Sequence, residues 1–433
     1  MRKIALALMI CLLLPCFASC HEASEMDDTL YVIAIGVDQG VADKWRLTIQ
    51  FPTMKSGGGS SSSNGNGGNS SSGGGGGDDE SGQGYATVDS PSFFVGIDML
   101  NASMPRKLSF AHAQIIVFSE ELAQSGLIGE YVAPIGRFSE IRRSSHVFVV
   151  KGTAFDFLKE NKPTIGTTLS KSFQVFAAAS ENIGYFPHIT LENFYEGLKS
   201  PYGQAIASMA AINEMESSSE EGGPKEEQEF KTGGEYLAGE LPRDGKNKLE
   251  LWGTALFNGD KMVGELNGDE TRLLLMIRGD FRQGLYVMQD PMEPELIVSL
   301  DVQLDKKPQI DIETEGEQPI IRLKFQLDAD LLSVQSMIHY ENPELRPLLE
   351  ETFKKNIEEG IAELIQKCQE LYCDAFRFGE NAAKNFLTID EFESYDWNRR
   401  FHDAKVEVDV DFTIRRTGAQ IKSYPIKEPI GEE

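Results

Sequence analysis

The chain predicts an α+β protein of more than one domain, with mixed sheets, packed helices and a C-terminal antiparallel sheet covered by one long helix. Three observations carry that prediction. The 433 residues exceed the roughly 250–300 at which a single core stops growing. In the first half, β-rich runs alternate with helical ones, which points to sheets covered by helices. In the second half, period-two strands follow one another over short connections, and one apolar stripe at helical spacing is much longer than the rest.

Taken in order, Leu30–Asp38 (LYVIAIGVD) is a β-rich run that stops at Gly36 and Asp38. Trp45–Phe51 alternates strictly: Trp45, Leu47, Ile49 and Phe51 share one face, while Arg46, Thr48 and Gln50 share the other. That period predicts a half-buried strand, paired with the preceding run as a hairpin. Gly57–Gly84 is nearly all Gly, Ser, Asn, Asp and Glu. Such a segment buries too little to offset its ordering entropy, so residues 57–84 are expected to form a disordered loop inside one domain. Neither G-x-x-x-x-G-K-[ST] nor G-x-G-x-x-G occurs in it, which removes the phosphate-cradle reading. A strand follows at Tyr85, then a helix over Pro91–Ser103 and a buried strand over Ala113–Phe118. Helices are expected from Glu120 to Gly126 and over Ile128–Arg137, and a strand over His146–Lys151. Thr153 caps a helix ending near Asn161. Thr167–Asn182 and Leu191–Leu198 read as helices, and Gly203–Asn213 as a strand.

Glu214–Tyr236 is acidic, with Gly and Pro, and reads as a linker or long loop. It divides the chain into an N-terminal α+β domain, 20–213, and a C-terminal α+β part, 237–433. Leu249–Phe257 and Lys261–Leu266 flank Asn258-Gly259-Asp260 as a hairpin, and Thr271–Ile277 is helical. Leu296–Leu304, Gln309–Glu313 and Ile321–Leu327 are strands whose short links make them antiparallel. Pro343–Cys373 is the longest helix, with Ile357, Ile361, Leu364, Ile365, Cys368 and Tyr372 on one stripe. Ala404–Ile414 alternates, with Val406, Val408, Val410, Phe412 and Ile414 facing in and Glu407, Asp409 and Asp411 facing water.

Charge narrows the function. There are 41 basic and 68 acidic residues, a net −27. That balance excludes a nucleic-acid binder, which needs Lys and Arg to displace counterions. It also excludes electrostatic docking on an anionic leaflet. The N-terminal stretch MRKIALALMICLLLPCFASC places Arg2 and Lys3 before an apolar run, with Ala18 and Ser19 just ahead of Cys20. This describes a secretory signal over residues 1–19, and the cysteine after small residues resembles a bacterial lipoprotein signal. Cys20 is therefore the candidate lipid-bearing residue, although Phe17 stands where such signals usually carry Leu. An ordinary secretory signal or an anchor helix is the alternative. Of the remaining cysteines, Cys368 and Cys373 would point about 140° apart on one helix, at 100° per residue. Burial as small apolar residues is the expectation, with a disulfide at the helix end the minority reading.

Chemistry is harder to find. The six histidines are scattered, with no H-E-x-x-H spacing, so no metal site is expected. No G-x-S-x-G elbow exposes a serine. His112 and His146 read as packing or capping residues, and DVDVDF lacks the glycine and terminal Glu of an EF-hand loop. No catalytic residue and no cofactor is expected.

Five segments, in order, resemble the Ger(x)C family, the lipoprotein C subunits of GerA-type spore germinant receptors. They are CHEASEMDDTLYVIAIGVDQG, LSFAHAQIIVFSEELAQSGL, RFSEIRRSSHVFVVKG, LWGTALFNGDKMVGELNGDETR and YDWNRRFHDAKVEVDVDFTIRRTG. The resemblance implies a multi-domain α+β protein without enzyme activity, lipid-anchored through Cys20 on the outer face of the spore inner membrane. It further implies a complex with two integral-membrane partners, the A and B subunits, that senses nutrients and triggers germination. Two other readings compete. A solute-binding lipoprotein of a transporter would show two similar α/β lobes around a cleft, and a cell-envelope hydrolase would use a buried carboxylate.

Overall fold

The computed structural model describes residues 28–53, 82–161, 180, 182–214, 230–243, 245, 247–316 and 318–417. Most of the loop expected at 57–84, most of the helix expected at 167–182 and much of the acidic stretch 214–236 lie outside the described residues, as does the signal with Cys20.

The run expected at 30–38 is two strands, because the chain changes partners within it. β1 (Thr29–Tyr31) pairs in parallel with β5 (Lys107–Ser109), and β2 (Ala34–Gln39) joins a different sheet. Between them Val32 N–H donates to Ser109 O at 2.9 Å and Ile33 N–H to Gln50 O at 2.8 Å. The larger sheet also contains β3 (Trp45–Pro52), β4 (Gln83–Ser90), β6 (Ile115–Ser119), β7 (His146–Val150), β8 (Ile206–Ile212), β9 (Leu249–Asn258) and β10 (Lys261–Leu266). Its order is β10-β9-β8-β7-β6-β2-β3-β4. The middle four strands are parallel, and antiparallel strands flank them on both sides.

Helices cover both faces. On one side α1 (Phe93–Ser103), α2 (Glu120–Gln124), α3 (Ile128–Arg137) and, further on, α5 (Leu191–Lys199) bury Phe93, Leu122, Tyr131 and Phe194 in the main core. On the other side α4 (Ala154–Glu160), capped by Thr153 as expected, packs Phe157 and Leu158 on Ile115, Val117 and Phe148. This second layer corrects the expectation for β3. Thr48 and Gln50, on the second face of what was expected to be a half-buried strand, are buried under α4. Gln50 Nε2 donates to Gln83 Oε1 at 2.7 Å and to Leu158 O at 3.0 Å, so its burial leaves the amide satisfied.

The hairpin β9–β10 pairs with β8 and completes the sheet of the N-terminal half, so that sheet continues beyond residues 214–236. α6 (Gly268–Arg278) follows, with Asn267 and Glu270 forming a capping box and Gly279 ending it at φ +71°.

The C-terminal sheet is built from β11 (Gln283–Gln289), β12 (Ile297–Leu304), β13 (Gln309–Glu313) and β14 (Ile320–Val334), all antiparallel. The long helix expected at 343–373 is α7 (Arg346–Glu370), with Leu349, Phe353, Ile357, Ile361, Leu364, Ile365 and Cys368 buried. Three short helices not anticipated follow: α8 (Phe378–Ala382), α9 (Ile389–Tyr395) and α10 (Trp397–Phe401). β15 (Lys405–Arg416) then adds to β14 in parallel, because α7 has carried the chain back to the end from which β14 started. Its alternation is as expected, with Val410, Phe412 and Ile414 buried and Glu407, Asp409 and Asp411 exposed. Its free edge is capped by α7 carboxylates: Val410 N–H donates to Glu358 at 3.0 Å and Ile414 N–H to Glu350 at 2.9 Å. Cys368 and Cys373 are both buried, unbridged thiols; Cys373 lies past the helix, beyond Tyr372 at φ +51°.

Candidate functional site

Two concavities among the described residues are candidate sites. The first is the crevice at the carboxyl ends of β2, β6 and β7, where open α/β sheets hold their ligands. It encloses about 740 Å³. Asp38, at the end of β2, turns into the N-terminus of α4 and accepts from Ala154 N–H at 2.7 Å and Phe155 N–H at 3.1 Å. Thr153 Oγ1 accepts from Asp156 N–H at 3.0 Å. The donors that would meet an anion are thus bound to the protein's own oxygens. Burial raises the Asp38 carboxyl, and those two backbone N–H groups work against the rise. Arg46 at the rim is committed to Asp89 through Nε at 2.8 Å and Nη2 at 3.1 Å. With Glu120, Glu121 and Asp156 also lining it, the crevice repels phosphate.

The second is a cleft where the eight-stranded sheet meets the C-terminal part. Its two lobes enclose about 530 and 440 Å³ and share Ile189, Asn193, Ile206, Arg278 and Arg377. α5 and the start of β8 form one wall, and the end of α6 with residues 375–380 forms the other. Arg278, the last residue of α6, donates from Nη1 to Ala375 O at 2.8 Å and lies 3.4 Å from Asp280 Oδ2. Burial pushes its guanidinium pKa down; the nearby Asp280 opposes this and the like charge of Arg377 adds to it. Arg377 itself sits at φ +65° and pairs with Glu380.

This wall is rigid. Asp374, 0% exposed, accepts from Phe378 N–H at 3.1 Å, Gly379 N–H at 2.9 Å and Trp397 Nε1–H at 2.8 Å. Its own carbonyl accepts from Gln204 N–H at 2.9 Å, which ties the short helices to the chain just before β8. Two glycines allow the approach: a Cβ on Gly203 would lie 2.9 Å from Arg377 Cα, and one on Gly379 would lie 2.4 Å from Tyr202 O. His188 lines the smaller lobe and packs at a tilt against His146, with ring centroids 4.6 Å apart. Burial, then the charge of His188, lowers His146 to about 4, so it is neutral at pH 7.

Cys20, the one site residue assigned from sequence, lies outside the described residues. The other described histidines also have partners. His112 stacks edge-on with Tyr31, His339 bonds Glu341, and His402 stacks on Tyr372. Among the described residues no group of three His, Cys, Asp or Glu side chains is placed to hold a metal. Arg278 and Arg377 escaped the sequence reading. An arginine closing a helix is ordinary, and nothing local links it to a segment 97 residues away.

Comparison with known proteins completes the picture. Residues 22–212 match the family model described as spore germination protein N-terminal domain, and residues 252–418 match spore germination B3/GerAC like, C-terminal. The chain is 22% identical to the spore germination protein YndF of Bacillus subtilis (strain 168) over 96% of this chain and 97% of that protein. It is 21% identical to the spore germination protein GerQC of Bacillus cereus over 40% of this chain and 47% of that one. Among solved structures, the crystal structure of the GerBC protein aligns at a TM-score of 0.47 and 18% identity, covering 88% of this chain and 97% of that one. With both halves matched in order, the chain belongs to the Ger(x)C family of spore germination proteins.

Proposed function

We propose that this protein is the C subunit of a spore germinant receptor, held to the membrane by a diacylglyceryl group on Cys20 and working by contact with integral-membrane A and B subunits. The observation that carries the reading is the ordered pair of family matches over 22–212 and 252–418. Three features support the anchor. The mature chain is strongly acidic, so it needs a hydrophobic attachment to stay at an anionic surface. Among the described residues no helix is long and apolar enough to cross a membrane. From Cys20 to the first described residue, Asp28, the chain can reach at most about 28 Å at ~3.5 Å per residue, which keeps the folded body beside the bilayer. The protein does this without turning over substrate; the crevice closed by Asp38 is in keeping with that role.

The two unlike sheets, eight-stranded mixed and five-stranded, do not make the similar lobes that a solute-binding lipoprotein calls for. The test is Cys20→Ala in the full-length chain, produced in sporulating cells that lack the wild-type copy. The expected result is loss from the spore membrane fraction together with impaired nutrient germination. Normal membrane retention and normal germination refute the anchor.

A further inference from the structure

We propose that the cleft between the two sheets binds a small organic carboxylate, its head gripped by Arg278 and Arg377 in the smaller lobe and its apolar body lying in the larger one. The charge pattern is the first reason. The chain has 68 acidic and 41 basic residues, yet the 440 Å³ lobe is lined by three arginines, Arg278, Arg282 and Arg377, against one acid, Asp280. A local reversal of sign in so acidic a protein draws anions toward this lobe.

The second reason is how those arginines are partnered. Arg278 has a side chain only 11% exposed, and its carboxylate contact is with the half-exposed Asp280 at 3.4 Å. Arg282 enters no ion pair among the described residues, and Glu380, which faces Arg377, is 44% exposed. A guanidinium withdrawn from water is stabilised by a close, planar acceptor. The two half-exposed acids are pairs of the kind that contribute little and yield to a better ligand.

The third reason is the shape and stiffness of the site. Ile189 and Ile206 run between the lobes, and the larger one continues along Leu191, Tyr202 and Ala205. The larger lobe is thus mixed: these apolar residues stand beside Arg143, Glu192, Glu196, Lys199 and Glu380, and the ring of Tyr202 gives a carboxylate with an aromatic body a contact that a bare phosphate lacks. Asp374, Gly203 and Gly379 fix the backbone at Arg377 before any ligand arrives, so the ordering left to oppose binding is that of its half-exposed side chain.

The test is calorimetric titration of the purified full chain with benzoate, neutral benzamide and inorganic phosphate. Benzoate is expected to bind in the millimolar range, with benzamide and phosphate silent. Arg377→Gly removes the guanidinium while keeping a residue that tolerates φ +65°. Arg282→Ala alters only an exposed side chain. Arg377→Gly should weaken benzoate about tenfold or more, the factor carried by one charge-assisted hydrogen bond. Arg282→Ala should weaken it less, with circular dichroism unchanged in both. No benzoate binding to the wild type, equal binding of benzamide, preference for phosphate, or undiminished affinity in Arg377→Gly each overturns the proposal.

Discussion

Replacing Asp374 tests whether one buried carboxylate organises the unanticipated helices after α7. In Asp374→Ala the N–H groups of Phe378 and Gly379 and the indole Nε1–H of Trp397 lose their acceptor. Each buried donor left unsatisfied costs about 1–3 kcal/mol. Against that, the substitution relieves the cost of keeping a charge where burial already raises its pKa. The balance is a loss of about 3 kcal/mol, taking the low end of the range for three donors. Asp374→Asn keeps one acceptor oxygen and should lose about 1–2 kcal/mol. The assay is urea unfolding of the full chain followed by tryptophan fluorescence. Trp397 reports the site directly, beside Trp45 and Trp252 elsewhere. A pH series adds an independent reading. Because folding raises the Asp374 pKa, its stabilising contribution is complete below the ordinary carboxylate value and is lost as pH rises through the folded value. The wild type should therefore gain on Asp374→Asn as pH is lowered from neutral. A loss under about 0.5 kcal/mol in the alanine variant, within the range of ordinary surface substitutions, with unshifted emission, would show that the carboxylate does not hold these helices together.

Four further outcomes follow from the structure. Gly379→Ala should cost about 2 kcal/mol, because its Cβ would meet the Tyr202 carbonyl; Gly136→Ala, in open space inside α3, should stabilise by about 0.5–1 kcal/mol in the same urea assay. Asp290 is pushed up by burial but held below the ordinary value by bonds from Ser336, Tyr340, Met292 and Glu293. Its contribution is present above the ordinary carboxylate value and lost as pH falls through the folded one, so Asp290→Asn should flatten the acid limb of a melting-temperature profile. Burial raises the Cys368 and Cys373 thiol pKa values, so both should react with a disulfide reagent only once urea unfolds the chain, and prompt native labelling would contradict their burial.

What the sequence conveyed was local in origin. The helix at Ile128–Arg137, the hairpin at 249–266 and the inward set on β15 were legible because periodicity and turn residues lie within a few positions of one another. What it concealed depends on distant partners. Gln50 alternates like a solvent-facing residue, and only α4, more than a hundred positions away, buries it. The direction of β15 follows from where α7 delivers the chain, which no local pattern encodes. α8, α9 and α10 carry too few turns to show a stripe, and Asp374, distant in sequence from Trp397, ties α8 to α10. The cleft arginines belong to the same class: ordinary in sequence, they matter only because α6 and the segment after α7 end side by side.

The pairing of β9 with β8 bears on how the chain is made. β8 is complete by Ile212, but its outer edge waits for residues 249–258 to emerge before it is covered. In that interval the nascent protein shows a nearly full parallel sheet with an apolar, ungated strand at its border, the kind of edge that recruits other chains. A fragment cut at residue 213 would carry that border permanently, and is expected to associate with itself where a fragment continuing through Leu266 stays dispersed.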